Sequence, residues 1–280
     1  MKIKIKNSLR MPHLTLLSVI LLLSACATVD VPQPIVRGSA QIEPLPTEQP
    51  TAPANPQNAD WQQLAAGIEV RTITPLQSAL AQMVVVRLDP ALVQFRVHYR
   101  PGEPRLIGQW QTELPNAAVI VNANFFTPEH LITGLLVSDG QTFGRSFIDR
   151  GGMFSIQNGQ PVIQSLISQP YDGRPLEQAI QAFPVLVHQR AAAYPRVSDT
   201  RASRRTVIGM DSQGRVLLMA TPGIGLGLYD LSQYLASADL DLVSAFNLDG
   251  GRSTMMAIAA SRYVINSFDA VPAVLAVYPR

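Results

Sequence analysis

The stretch "FNLDGGRSTMMAI", Phe246 to Ile258, decides how this chain can be interpreted. An apolar run ends on the carboxylate of Asp249 and turns on two glycines. An arginine and two hydroxyl side chains follow, and then a second apolar run begins. Both runs have the length and residue types of buried β-strands. An Asp-Gly-Gly sequence is by itself more often only a turn than a site, so its meaning depends on which other segments display polar groups at strand ends.

Most of the chain after residue 60 has the pattern of short β-strands separated by turns. "MVVVRLDP" and "VQFRVHY" predict two strands that form a hairpin around "DPAL", and Asn158-Gly159 and Gln213-Gly214 predict two more hairpins. "EPRLIGQWQTEL" and "RPLEQAIQAF" predict short helices, and "LYDLSQYLASADL" predicts a longer amphipathic helix. The fold expected is α+β: a β-rich single domain with mixed sheets flanked by a few helices.

The first residues predict an exported protein. Basic residues precede the apolar run Leu14 to Leu23, and "LSAC" follows it and ends on Cys26. This pattern is typical of a signal peptide and is too short for a membrane-spanning helix. The small residues before Cys26 resemble a bacterial lipobox, which predicts cleavage after residue 25 and lipid attachment to Cys26. Because Ala27 is not an aspartate, Gram-negative sorting would favour the periplasmic face of the outer membrane. An ordinary signal peptide with a chance cysteine is the alternative.

Proline recurs every few residues between Val31 and Asn58, where apolar residues are few. Such a segment cannot bury a core and is typical of an extended linker. The sequence therefore predicts three parts: a lipoprotein signal peptide at 1–25, a Pro-rich flexible tether at 26–60 and a single domain at 61–280. We expect a monomer that contacts the membrane of the cell envelope through its N-terminal lipid.

Charge and residue usage exclude several classes of function. The leader holds four of the 22 basic residues and none of the 20 acidic residues, so a chain without it carries a net charge of −2. This balance gives no support for a nucleic-acid partner. All lysines lie in the leader and Cys26 is the only cysteine. Schiff-base lysines, P-loop lysines, disulfides and thiolate zinc sites are therefore excluded from the remainder.

Four segments place polar groups at the ends of apolar strands, where a scaffold often displays a functional site. Taken singly, each has an ordinary structural explanation, such as a turn or a solvated strand edge. Their polar residues are Asn122, Asn124, Glu129 and His130 in the first segment, Thr133 in the second, Arg201, Arg204, Arg205 and Thr206 in the third, and Asp249, Arg252, Ser253 and Thr254 in the fourth.

In this order, the segments resemble the phosphodiester glycosidase family. The resemblance covers nearly all of residues 70–280, and its last two motifs are the specific ones. The matching motifs are "NANFF" (122–126), "GLLVSDG" (134–140), "FPVLV" (183–187), "RRTVIG" (204–209) and "LDGGRSTMM" (248–256). Ala123, Asn124 and Arg252 stand where the family has glycine, so we expect a substrate of different size or identity.

The resemblance implies an enzyme that hydrolyses a sugar-1-phosphodiester, also called a glycosyl phosphate. The implied catalytic residues are Asp249, Arg205 and Glu129. Arg205 would grip the departing phosphate as a bidentate fork. Asp249 would act as nucleophile, as base for water or as electrostatic support for the cationic sugar, with Glu129 as the second carboxylate. The implied substrate-binding residues are Asn122, Asn124, Arg204, Thr206, Gly250, Gly251, Arg252, Ser253 and Thr254.

Three alternatives stay open at this point. A non-catalytic module that binds phosphorylated or acidic envelope glycans would use the same asparagine, arginine and serine groups. A serine hydrolase built on Ser253 would lack the G-x-S-x-G elbow. A metal-dependent phosphodiesterase could draw oxygen ligands from Asp239, Asp241, Asn247 and Asp249, although their spacing fits no familiar loop. No cofactor is predicted with certainty, and a structural calcium ion is the alternative.

Overall fold

A computed structural model describes residues 60–280, which form three antiparallel β-sheets and two α-helices. The predicted leader, Cys26 and almost all of the predicted tether lie outside the described residues. The fold is β-rich α+β, as the sequence predicted. Every strand pairing within residues 60–280 is antiparallel, whereas mixed sheets were expected.

The first sheet has eight strands in the order β1-β2-β3-β14-β13-β15-β11-β12. Its strands are β1 Gln62–Ala65, β2 Ile68–Ile73, β3 Met83–Leu88, β11 Val185–His188, β12 Ala191–Ala192, β13 Thr206–Asp211, β14 Val216–Ala220 and β15 Leu242–Asn247.

The second and third sheets have five strands each, in the orders β7-β6-β10-β8-β9 and β17-β16-β5-β18-β4. The second sheet consists of β6 Leu135–Ser138, β7 Gln141–Gly144, β8 Gly152–Gln157, β9 Gln160–Ser165 and β10 Gln178–Ala182. The third consists of β4 Val93–Tyr99, β5 Val119–Asn122, β16 Met256–Ile258, β17 Tyr263–Ile265 and β18 Ala273–Pro279. Short 3-10 helices lie at Pro75–Gln77, Ala79–Ala81 and Gly251–Ser253.

The main hydrophobic core lies where the three sheets meet. Val86, Phe154 and Leu275 come from the first, second and third sheets, and all three belong to one buried cluster. Strands whose two faces are both buried need apolar side chains at successive positions, which explains the unbroken "MVVV" run of β3.

Each helix covers the outer face of a sheet. Helix α2, Leu228–Ser237, packs Leu231 and Leu235 against the face of the first sheet that points away from the main core. Helix α1, Ile107–Glu113, buries Trp110 against the third sheet, where the indole N–H donates to the carbonyl of Val271 at 3.3 Å. Both helices lie within segments that the sequence predicted to be helical.

Two local predictions were wrong. The segment "RPLEQAIQAF" forms strand β10 instead of a helix, because the segment pairs with β6 and β8 and is buried throughout. The "DPAL" segment does not close a hairpin. Its turn at Asp89 carries the chain from β3 in the first sheet to β4 in the third sheet. The hairpins at Asn158-Gly159 and Gln213-Gly214 are present, as the β8–β9 and β13–β14 pairs.

Candidate functional site

Strand pairing brings the two most specific motifs together. Strands β13 and β15 are antiparallel neighbours, with Val207 opposite Asn247. The start of β13 therefore lies beside the end of β15, and the contact continues past both strands. The Leu248 N–H donates to the Thr206 carbonyl at 2.8 Å, and the Gly251 N–H donates to the Arg204 carbonyl at 2.8 Å. This pairing places Arg205 and Asp249 at the same edge of the first sheet.

Asn122, at the end of β5, joins this edge to the third sheet. Its amide donates to the Asp249 carbonyl at 2.6 Å. Its carbonyl oxygen accepts from the Thr206 hydroxyl at 2.7 Å and from the Met255 N–H at 3.0 Å. The Asp249 N–H donates in turn to the Ala123 carbonyl at 3.0 Å. Asn122 and Thr206 were predicted to contact substrate, but their buried side chains hold the Asp249 turn in position instead.

A cavity of about 990 Å³ opens at this edge, and both Asp249 and Arg205 line it. Gly250 and Gly251 line it as well, which exposes their backbone to the cavity. Its other lining side chains include aromatic, basic, acidic and amide groups: Phe125, Phe183, Tyr194, Arg150, Arg196, Arg201, His188, Asp199 and Asn247. Among residues 60–280, only Asp199 and Asp249 bring a carboxylate to the cavity wall.

The Asp249 carboxyl lies in a strongly desolvated position and is only 9% exposed. Burial raises its pKa to about 6. Hydrogen bonds from the Ser253 side chain and from the Gly250 N–H act in the opposite direction, the latter at 2.8 Å to Oδ1. A carboxylate with a pKa near neutral is a better base than an ordinary aspartate, so this environment suits proton transfer.

Space at Gly250 and backbone conformation at Gly251 both favour glycine. A Cβ atom on Gly250 would stand 3.0 Å from the Arg204 carbonyl oxygen, and Gly251 has a φ of 62°. Side chains at these positions would crowd the junction with β13 or strain the turn.

The Arg205 guanidinium is held by main-chain acceptors and not by an acid. Its Nε donates to the Leu226 carbonyl and its Nη2 to the Arg201 carbonyl, both at 3.0 Å. Within residues 60–280 it forms no ion pair with a carboxylate. Burial lowers its pKa, but guanidinium remains charged at physiological pH. The geometry therefore offers an oriented cation to an anion in the cavity.

Four other predicted residues support the site from outside the cavity lining. Asn124 is buried and donates to the carbonyls of Leu135 and Gln181, both at 3.0 Å. Arg204 donates to the carbonyls of Thr254 and Asn266, both at 2.9 Å. Ser253 and Thr254, which follow the Asp249 turn in sequence, are buried, and the Ser253 side chain hydrogen-bonds to the Asp249 carboxyl. These contacts fix the loops around the cavity, as Asn122 and Thr206 do.

Two predicted residues are not brought to the cavity. Glu129 lies on an exposed loop and is not among the lining residues. The Arg252 side chain is 70% exposed and forms a bidentate pair with Asp269, with contacts of 2.8 to 3.0 Å. Arg252 is the middle residue of the 3-10 helix Gly251–Ser253 and is not among the residues that line the cavity. The position that replaces a family glycine therefore does not fill the cavity.

Several lining residues were not predicted as site residues, although Phe125 and Phe183 lie in matching motifs and Asn247 was named only as an alternative metal ligand. Phe125 and Phe183 stack with ring centroids 4.6 Å apart and form an aromatic wall. Asn247 donates to the Phe183 carbonyl at 3.3 Å, which ties this wall to β15. Arg150 and Arg196 lie in connecting segments that match no motif. The sequence carried no signal that these segments would meet.

The described part of the chain has neither a ready metal site nor a membrane-spanning helix. Within it, no group of three or more histidine, cysteine, aspartate or glutamate side chains is arranged to hold a metal ion. Asp239 and Asp241, considered above as ligands, form ion pairs with Arg71 and Arg190 instead. None of the helices in residues 60–280 has the length and apolar character needed to cross a bilayer.

The family model for phosphodiester glycosidases matches residues 115–278, which is more than half of the 280-residue chain. The chain belongs to the phosphodiester glycosidase family. The match begins just before β5 and ends in β18, so it includes the Asp249 turn, the Arg205 edge and all cavity-lining segments. A search of curated proteins found no match.

Solved structures share the fold of this phosphodiester glycosidase family member. One is the zebrafish N-acetylglucosamine-1-phosphodiester alpha-N-acetylglucosaminidase catalytic domain, auto-inhibited by its pro-peptide. It is 17% identical with a TM-score of 0.60 over 80% of this chain and 87% of that one. A hypothetical protein from Synechocystis is 17% identical with a TM-score of 0.54, over 77% of this chain and 63% of that one. A Burkholderia pseudomallei protein, whose given name points to export, is 13% identical with a TM-score of 0.53, over 71% of this chain and 74% of that one.

Proposed function

We propose that this protein hydrolyses the bond between the anomeric carbon of a sugar and a phosphodiester. The observation that carries the proposal is that Asp249 and Arg205, from two distant motifs, line one cavity. Membership of the phosphodiester glycosidase family supports the same reaction. The cavity provides the two things that this reaction needs, a carboxylate on the sugar side and fixed positive charge on the phosphate side.

In the proposed reaction, the bond between the anomeric carbon and the phosphate oxygen breaks and its electron pair leaves with the phosphate. Arg205 stabilises the departing phosphate monoester through its guanidinium. Water adds to the anomeric carbon, and its proton passes to the Asp249 carboxylate and then to solvent. Because a phosphate leaves as a stable anion, this reaction does not need a second carboxylic acid to protonate it. The position of Glu129 outside the cavity is consistent with that requirement.

The first test is turnover. The protein should release reducing sugar and phosphate monoester from a panel of methyl glycosyl phosphodiesters that differ in the sugar. Binding of the panel without release of either product would instead support a module that recognises phosphorylated or acidic glycans. Arginine forks and amides would serve such a module equally well.

The pH dependence should report the ionisation of Asp249. Since the base must be deprotonated and burial raises its pKa to about 6, kcat/KM should rise with pH, pass half-maximum near pH 6 and then level off. The measurement is a kcat/KM profile from pH 4 to 8 at constant ionic strength, with circular dichroism confirming that the protein stays folded. A rate that falls as the pH rises through 6 would assign Asp249 the role of an acid and contradict the mechanism.

We further propose that the protein is anchored at the periplasmic face of the outer membrane, with residues 26–60 as tether and Cys26 as the lipid attachment site. This rests on the "LSAC" sequence and the basic leader. Cys26→Ala should lose incorporation of labelled palmitate and should move from the membrane to the soluble fraction. In a Gram-negative host, Ala27→Asp is the matched control and should keep the label. Undiminished label on Cys26→Ala would contradict the anchor.

A further inference from the structure

The cavity carries more positive charge than one phosphodiester requires. Four arginines line it, together with two aspartates: Arg150, Arg196, Arg201 and Arg205, with Asp199 and Asp249. Within residues 60–280 none of the four arginines forms an ion pair, and every arginine that does so lies outside the cavity lining. Unpaired cations in a concave site attract anions more strongly than cations on an open surface.

These arginines come from two separate parts of the chain. Arg150 precedes β8 of the second sheet, and its guanidinium carbon lies 5.8 Å from the ring centroid of Phe147. Arg196 and Arg201 lie in the connection between β12 and β13 of the first sheet. Arg205 alone is positioned beside the Asp249 turn by the strand pairing described above. The other three add positive charge to the same cavity from segments outside that strand pairing.

The connection that bears Arg196 and Arg201 is held in place by helix α2. The Ser232 hydroxyl accepts from the N–H groups of Ala193 and Tyr194 at 3.2 and 3.1 Å. The Tyr194 hydroxyl donates to Asp199 at 2.7 Å. A Cβ on Gly227, just before α2, would stand 2.7 Å from the Asp199 carbonyl oxygen, so the connection rests directly on this glycine. Such anchoring suits a binding surface, because less freedom is lost when a ligand is bound.

The size of the cavity agrees with a ligand longer than one sugar phosphate. Its volume of about 990 Å³ lies at the upper end of the roughly 300–1,000 Å³ found for small-molecule sites. The stacked pair Phe125 and Phe183 gives the same cavity an apolar surface on which a sugar ring can pack. Space and charge therefore both extend past the position of a single scissile phosphodiester.

We propose that Arg150, Arg196 and Arg201 form a second anion subsite, which binds another phosphate of a substrate built from repeating glycosyl phosphate units. This inference rests on the proposed function, because the reaction places one phosphate at Arg205. A polymer that repeats its own sugar-phosphate linkage supplies a second phosphate at a fixed distance along the chain. Guanidinium forks are the groups best suited to bind it.

The test compares synthetic hexose oligomers joined by phosphodiesters through the anomeric carbon, containing one or two phosphates. Calorimetry measures their binding to Asp249→Asn, so that cleavage cannot interfere, and turnover is measured separately with the unmodified protein. The two-phosphate oligomer should bind roughly tenfold more tightly than the one-phosphate oligomer, as one additional charge-assisted contact predicts. This gain should shrink at high salt.

The double variant Arg196→Gln and Arg201→Gln, made in the Asp249→Asn background, should reduce the tenfold ratio to near one. Arg262→Gln, which removes one exposed arginine outside the cavity, should leave the ratio unchanged. Equal affinity for the two oligomers, or no binding of either, would overturn the subsite. If the ratio holds but the unmodified protein cleaves neither oligomer, the subsite stands and the proposed reaction fails. If cleavage occurs without the ratio, the reaction stands and the subsite fails.

Discussion

Replacing Asp249 by asparagine is expected to abolish turnover and to make the folded protein more stable at neutral pH. The amide cannot accept the proton of the attacking water, so kcat should fall by about 10³-fold or more. The carboxylate is also costly to the fold, because burial raises its pKa from 3.8 to about 6. A shift of this size corresponds to roughly 3 kcal/mol of stability at most.

The sign of the stability effect depends on pH. Since the folded-state pKa lies above the unfolded one, the Asp249 carboxyl contributes its full stability below about pH 3.8, and this contribution is lost as the pH rises through about 6. The melting temperature of Asp249→Asn should therefore exceed that of the unmodified protein above pH 6, by about 5 °C or more, and the two should converge near pH 4. Thermal melts from pH 4 to 8 measure this difference.

Asp172→Asn is the matched control, because it removes an exposed carboxylate outside the cavity. It should show neither the loss of turnover nor the gain in stability. Glu129→Gln tests the other carboxylate that the sequence predicted to be catalytic. Because Glu129 lies outside the cavity, this variant should retain activity. Near-normal turnover of Asp249→Asn, with the same melting temperature as the unmodified protein at pH 7, would remove Asp249 from the mechanism.

Replacing Arg205 by lysine is expected to lower kcat/KM by about 10²-fold for a phosphodiester substrate. Lysine keeps the charge but loses the planar fork, which is the part that binds two phosphate oxygens. It also loses the two contacts that orient the guanidinium, to the carbonyls of Leu226 and Arg201. The loss should appear mainly in kcat, because the negative charge on the leaving phosphate develops in the transition state.

Steady-state kinetics with one glycosyl phosphodiester measure this effect, and a thermal melt shows whether the lysine variant is folded. Arg262→Lys makes the same change at an exposed position outside the cavity and should behave as the unmodified protein does. A loss of less than threefold in Arg205→Lys would show that a point charge is sufficient and that the fork is not used.

Local signals predicted the parts of the fold that local chemistry controls. The Asn158-Gly159 turn, the "MVVV" strand and the amphipathic helix α2 were all expected from their patterns. Strand β10 was mistaken for a helix because a short run of buried residues has no distinctive period, and its pairing partners lie far away in the sequence. The hairpin predicted around Asp89 was wrong for a related reason. A turn sequence does not specify which sheet the next strand joins.

The candidate site was predictable in part. The sequence singled out Asp249 and Arg205, and the β13–β15 register explains why they meet. It did not distinguish residues that line the cavity from residues such as Asn122, which hold the lining in place through buried hydrogen bonds. Arg196 in the β12–β13 connection had no motif to mark it, because its position depends on where α2 anchors the chain.

The proposed reaction breaks the bond between carbon and oxygen on the sugar side of the phosphodiester. Hydrolysis in ¹⁸O-labelled water, followed by mass spectrometry of both products, tests it most directly. We expect the label to enter the anomeric hydroxyl of the released sugar and to be absent from the phosphate monoester. Label in the phosphate would mean attack at phosphorus and would contradict the roles assigned to Asp249 and Arg205.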